Sequence, residues 1–335
     1  MKRTICALGV IGMMAAAGGS ARADVLLTGP DANAGSYSTS ALAGVANGGD
    51  TVSSGGLTGI TLWGLLGGAD GAQNSPNYGA ITTSTPNGAN GKNAILRYYL
   101  VGTGAGGQRS VVSLGEIDPT FGGTAPVAPF VAFQNGGGLL AAPQLVVPGA
   151  AGRGLVNLTS LQLLAVPAVS GLGGPSTAVQ LTGNVAQPGS YTKTDLQNDF
   201  TPVTSTISGD TYTGVPLWTF LDASDPMATD QVVITQGTDG YEVVLSLAEL
   251  NPALGGNPHD LLPYADNGTD FPSDPNAKTA AVARTIFPSD NKHGRWESNL
   301  DFVEVASVPE PASLGLLGVA LMCVAGLRNR RRATH

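Results

Sequence analysis

The 335 residues are expected to fold as a β-rich α+β protein containing two tandem homologous domains. Three observations lead there. The composition combines 48 Gly and 22 Pro with 42 % hydrophobic and only 12 % charged residues. Short β-prone runs alternate with glycine turns, and the sequence repeats itself in order. A disordered chain would be less apolar and more charged, and no three-residue Gly period marks a collagen helix. The length allows one large or two ordinary cores. The net charge of −8 comes without the Lys/Arg stripe that nucleic-acid phosphates require.

The first element is an address. Lys2 and Arg3 form a positive start, Ile5 to Ala17 is uncharged and largely apolar, and Ala21-Arg22-Ala23 puts small residues at −3 and −1. Residues 1–23 therefore read as a secretory signal cut by signal peptidase, with Asp24 opening the mature chain. The apolar stretch is short for a membrane anchor.

The middle is written twice. Val25-Leu26-Leu27-Thr28-Gly29 recurs as Val179-Gln180-Leu181-Thr182-Gly183, and Gly35-Ser36-Tyr37-Ser38 as Gly189-Ser190-Tyr191-Thr192, both at an offset of 154. Thr58-Gly59-Ile60-Thr61-Leu62-Trp63 answers Thr213-Gly214-Val215-Pro216-Leu217-Trp218. Ser113-Leu114-Gly115-Glu116-Ile117-Asp118-Pro119 answers Ser246-Leu247-Ala248-Glu249-Leu250-Asn251-Pro252. Gly152-Arg153 with Asn157-Leu158 answers Gly294-Arg295 with Asn299-Leu300. Two homologous domains are thus expected at 24–166 and 179–306, joined by a Gly/Pro/Ser/Ala linker at 167–178.

Within the second copy each element has a local reason. Val179–Leu181 is a short strand before a glycine turn. Thr192 or Thr194 caps a helical turn ending in Asp195-Leu196. Pro216 fits the first turn of a short helix whose Leu217, Phe220 and Leu221 share a face. Gln231–Thr235 and Tyr241–Leu245 read as a hairpin around Gly237-Thr238-Asp239-Gly240. Ala248–Leu250 starts another helical turn, and Leu300–Val305 alternates as a closing strand.

The last element is a tail. Ala312–Leu327 is a 16-residue run without charge, about 24 Å as a helix and a little short of a ~30 Å hydrocarbon layer. Arg328, Arg330, Arg331 and Arg332 would snorkel and mark the cytoplasmic side. Val308-Pro309-Glu310-Pro311 stands just before it. The order of Pro-Glu-Pro, apolar helix and terminal Arg cluster over 307–335 resembles the PEP-CTERM sorting signal of Gram-negative bacteria. The resemblance implies processing near Pro309-Glu310-Pro311 by an exosortase, passage through the inner membrane, and release to the cell surface or an extracellular polysaccharide matrix. A plain C-terminal anchor is the other reading.

Without the two ends, residues 24–308 hold 9 basic and 23 acidic residues, a net of −14. Cys6 lies in the signal and Cys323 in the tail, so the body has no thiol for a nucleophile, a disulfide or a thiolate metal site.

In the second copy, Tyr212-Thr-Gly-Val-Pro-Leu-Trp-Thr-Phe-Leu, Gly237-Thr-Asp-Gly-Tyr-Glu-Val-Val-Leu-Ser-Leu-Ala-Glu-Leu, Phe287-Pro-Ser-Asp and His293-Gly-Arg-Trp together resemble the sulfite-oxidase-like molybdopterin-binding domain. Through the repeat, the likeness extends to a more diverged first copy. It implies a molybdenum cofactor held by a cysteine ahead of the Gly-Val-Pro-Leu stretch. Here Ser208 is nearest that position, and a serine is a far weaker acid than a thiol. The second copy carries 5 basic against 17 acidic residues, a repulsive field for an anionic cofactor. Both copies are therefore expected to be degenerate, without molybdopterin.

Further motifs weigh less. Gly102-Thr-Gly-Ala-Gly-Gly107 matches a dinucleotide fingerprint, but a strand rather than a helix follows it, so it reads as a turn. Asp266, Asp270 and Asp274, with Asn267 and Asn276, offer hard oxygen ligands that suit calcium, or simply form turns. His259 and His293 have no catalytic motif around them. Arg295-Trp296 is expected to be a stacked structural pair. The expected role is non-catalytic binding or scaffolding at the surface, with an extracellular polysaccharide as partner. A molybdopterin oxidoreductase with an atypical ligand and a calcium-stabilised adhesin are the competing readings.

Overall fold

The computed structural model describes residues 23–46, 50–68, 77–83, 87–88, 92–122, 127–150, 152–271 and 281–309. The chain is β-rich with helices of one or two turns. From the N-terminus come β1 (Val25–Thr28), β2 (Gly35–Tyr37), α1 (Thr39–Val45), β3 (Thr51–Ser54), β4 (Leu57–Thr61), α2 (Leu62–Leu65), β5 (Asn77–Tyr78) and β6 (Ile81–Thr82). They are followed by β7 (Tyr98–Gly104), β8 (Arg109–Ser113), α3 (Leu114–Ile117), β9 (Phe130–Asn135), β10 (Gly138–Val146) and β11 (Leu158–Ala165). The rest of the chain gives β12 (Val179–Gly183), β13 (Gly189–Tyr191), α4 (Lys193–Asn198), β14 (Val203–Ile207), β15 (Asp210–Pro216), α5 (Leu217–Leu221), β16 (Gln231–Gly237) and β17 (Glu242–Ser246). The order closes with α6 (Leu247–Leu250), β18 (Leu261–Asp266), β19 (Thr269–Asp270) and β20 (Leu300–Ser307).

The strand order is the same in both halves. One five-stranded sheet runs β2-β1-β11-β7-β8 and the other β13-β12-β20-β16-β17; the four-stranded sheets run β10-β9-β4-β3 and β19-β18-β15-β14. Even the register agrees. Val25 faces Tyr37 as Val179 faces Tyr191, and Leu27 pairs with Leu161 as Leu181 pairs with Val303 in the single parallel ladder of each sheet.

The local reasons are those of the sequence. Thr192 and Asp195 close a reciprocal capping box on α4, and Ser38 caps α1 at the matching place. Leu42 and Leu196, one on each of these helices, are fully buried. Pro216 ends β15 and sits at the N-cap of α5, one position outside the helix. Gly29 and Gly183 hold positive φ, and a side chain there would meet the carbonyl oxygens of Leu163 and Val305 at 2.3 and 2.1 Å. Only glycine lets those strands pass so close. Gly102–Gly107 is the end of β7 and the turn into β8.

The halves are fastened together. A large core runs through both, and a second cluster of Tyr99, Val101, Val111, Val166, Val232, Val244 and Val308 lies where β7 and β8 meet β16 and β17. The Val111 N–H donates to the Thr229 carbonyl across this seam at 2.8 Å. Among the described residues no helix is long and apolar enough to cross a membrane. The span expected at 312–327 lies outside them, as do residues 1–22 of the expected signal.

Candidate functional site

The polar centre of the molecule grows from the Ser-x-x-Glu pattern present in each half. Ser113 accepts the Glu116 N–H at 3.1 Å to cap α3, and Ser246 accepts the Glu249 N–H at 3.0 Å to cap α6. Both helices follow the seam strands β8 and β17, so the two glutamates face the same junction. Arg153 and Arg295, matched in the repeat, enter it from the segments before β11 and β20.

Each serine then reaches the other half. The Ser113 hydroxyl donates to Glu249 at 3.0 Å, while Arg153 Nη2 donates to the Ser246 hydroxyl at 3.0 Å. Arg153 also grips Glu116 in a fork, Nη1 to Oε1 at 2.6 Å and Nη2 to Oε2 at 2.8 Å. Arg295 forks onto Asp290, Nε at 2.9 Å and Nη2 at 2.5 Å, and approaches Glu249 at 3.4 Å. Its guanidinium lies 4.7 Å from the Phe287 ring centre. A cleft of about 360 Å³ opens over this cluster, with Glu116, Arg153, Glu249, Asp260 and Arg295 in its wall.

The electrostatics follow from burial. Desolvation, with the nearby Glu116 charge, raises Glu249 above the usual carboxylate range; Arg295, Arg153 and the Ser113 hydroxyl oppose the shift. Burial pushes Asp260 up to about 7, opposed by Arg295 and helped by Asp290. Burial alone would lower both guanidinium groups. Glu116 holds Arg153 high instead, and Asp290 with Glu249 does the same for Arg295. The arrangement ties the halves together, and burial favours the protonated form of its acids. Both arginines are already occupied by carboxylates.

A second cleft, of about 460 Å³, lies between Asn93 of the first half, Gly173 and Gly174, and Tyr241, His293 and Trp296 of the second. The Tyr241 hydroxyl accepts from Asn93 at 2.8 Å and donates to the Gly294 carbonyl at 2.7 Å. Glu297 beside it is held well above the usual range by burial and by Asp239.

The residues singled out from the sequence lie elsewhere. Ser208 is exposed, with φ of 55°, in the turn between β14 and β15. Asp266 ends β18 and Asp270 ends β19 of one hairpin; Asp270 is paired with Lys193 Nζ at 2.8 Å. Asp274 lies outside the described residues, and among these no group of three or more His, Cys, Asp or Glu could hold a metal ion. Ala23 is exposed. Pro309 is the last described residue; Ala21, Glu310, Pro311, Arg328, Arg330 and Arg331 lie outside.

The expected Arg295-Trp296 stack is corrected. His293–Arg295 form a 3-10 turn with Trp296 at its end, and residues three apart eclipse in such a turn, so Trp296 stacks on His293 at 3.6 Å, with Arg284 5.5 Å from its ring, while Arg295 covers Phe287. The sequence reading did not single out Glu116, Glu249, Arg153 or Asp260. The signal for the first three was the repeat itself, which keeps Ser, Glu and Arg in both copies.

Comparison with known proteins bears mainly on the tail. Residues 307–332 match the profile of the PEP-CTERM protein-sorting motif. That motif marks a chain for export and exosortase sorting to the surface of Gram-negative bacteria. No curated protein matches the chain in sequence. Among solved structures, the sulfane dehydrogenase SoxCD from Paracoccus pantotrophus is similar at 16 % identity over 45 % of this chain and 44 % of that one, with a TM-score of 0.32. The match spans less than half of either chain, and a likeness so slight carries no argument.

Proposed function

We propose that the protein is an exported, exosortase-sorted component of the cell surface or extracellular polysaccharide matrix, whose paired domains bind or scaffold rather than catalyse. The single observation that carries the sorting is the motif at 307–332. The signal at 1–23, cut after Ala23, would deliver the chain across the inner membrane, and the tail would halt it there for the exosortase.

Two features favour a non-catalytic body of two repeat domains, 24–166 and 179–306. The same strand order recurs in both halves. The buried guanidinium groups of the central cleft are already matched to Glu116, Asp290 and Glu249, where an anionic cofactor would have to displace them. A degenerate molybdopterin-binding ancestry fits an exposed serine, Ser208, at the place where a thiolate is expected.

Fractionation of a Gram-negative host that makes an exosortase tests the sorting. The unchanged chain should reach the surface or medium in shortened form, and a Glu310→Ala chain should remain full length in the inner membrane. Elemental analysis of the purified protein tests the body: stoichiometric molybdenum would contradict the non-catalytic reading, and calcium-dependent melting abolished by Asp270→Ala would favour a calcium-stabilised adhesin. Co-sedimentation with the host's own extracellular polysaccharide is the expected binding result.

A further inference from the structure

The junction between body and tail is held by one side chain from the opposite half. Val308 is 4 % exposed and packs in the seam cluster with Tyr99, Val101 and Val111. Its N–H donates to the Asp230 carbonyl at 3.1 Å. Arg109, at the start of β8, then spans two consecutive carbonyls: Nη1 donates to Val308 at 3.2 Å and Nη2 to Pro309 at 2.6 Å. The backbone beneath Arg109 is itself fixed, because the Thr229 hydroxyl donates to its carbonyl at 2.6 Å. A planar guanidinium suits this bridge, whereas an ammonium presents a point charge.

We propose that Arg109 is a positioning residue for sorting: it docks Pro309 on the folded body and paces entry of the motif into the processing enzyme. The inference rests on the exosortase reading above. Enzymes and receptors that take an extended peptide commonly pair with its main-chain groups. Pro309 has no N–H, so its carbonyl is its whole main-chain offer, and Arg109 occupies it. Val308 has both of its main-chain groups engaged and its side chain buried. An enzyme reading Pro309-Glu310-Pro311 therefore competes with the body for the first residue of its own motif. Losing two hydrogen bonds from a cation, one of them exposed, should raise the undocked fraction about tenfold.

The test is pulse-labelling of the full chain in the exosortase-bearing host, following conversion from the long to the short form. Arg109→Ala is expected to convert about three- to tenfold faster. Arg109→Met, which keeps the apolar stem, should match it, and Arg109→Lys should fall between. Hydrogen exchange at the Val308 amide should quicken in Arg109→Met, with β16 amides and the melting temperature unchanged. Unchanged or slower conversion of Arg109→Met, with Glu310→Ala still unconverted, overturns the docking role and leaves the sorting reading standing. Conversion of Glu310→Ala at the unchanged rate overturns the sorting reading, and the role of Arg109 falls with it.

Discussion

The halves Val25–Ala165 and Val179–Ser307 hang the same strands in the same order, yet they charge the central junction differently. In the first half, Arg153 meets one carboxylate, Glu116, in a closed fork. In the second, Arg295 lies among Asp290, Glu249 and Asp260. The extra acids occupy places that are proline in the first half. Asp260 and Pro129 give equivalent carbonyls to the first N–H of α5 and α2, Leu217 and Leu62, and Pro148 precedes Arg153 by the same five residues that separate Asp290 from Arg295. One scaffold thus surrounds its two buried arginines with different numbers of acids. A repeat preserves backbone geometry more strictly than charge.

The largest expected effect is removal of the arginines. Arg295→Ala would strand buried carboxylates and should cost about 3–5 kcal/mol in urea unfolding. Arg153→Ala should cost less, because the carboxylate it forks, Glu116, is partly exposed, whereas Arg295 forks onto the fully buried Asp290. Equal losses would mean that the extra acids of the second half are not ionised.

Backbone equivalence can be broken next. Gly29→Ala and Gly183→Ala each place a methyl against a carbonyl at positive φ, and each should lose at least about 1–3 kcal/mol. Similar losses at both sites would show that the two crossings bear the same constraint; a harmless substitution at one would break the equivalence.

A smaller effect separates the halves by pH. Burial pushes the Asp260 carboxyl from the usual carboxylate range up to about 7. The folded state therefore keeps a proton that the unfolded chain gives up, and this term weakens stability as pH rises from about 4 to about 7. The melting temperature should drop by a few degrees across that window. Asp260→Asn should flatten the drop, while a substitution at Pro129 should leave it.

The smallest effect concerns the crossing hydroxyls. Ser113→Ala and Ser246→Ala each remove a helix cap and a contact with the other half, so each should cost about 1–2 kcal/mol. A double-mutant cycle of Ser246 with Arg153 should show coupling.

Much of this was legible locally. The threonine cap at Thr192, the Gly237–Gly240 turn, the closing strand and the sorting tail are read from neighbours within a few residues. What escaped depends on distant partners. No periodicity pairs β1 with β11 in parallel, and nothing around Ser113 shows that its hydroxyl reaches Glu249, 136 positions away. Arg295 and Trp296 look like a pair because they are adjacent, but a 3-10 turn over His293–Arg295 stacks Trp296 on His293 instead. Asp260 is one residue before a strand and reads as a turn former until burial makes it an acid near neutrality.

Sorting is tested most sharply by where the chain resides and how long it is in an exosortase-bearing host, with the motif intact and with Glu310→Ala. A shortened form outside the inner membrane is expected for the intact chain, and a full-length, membrane-held form for the variant. Identical length and location for the two would contradict it.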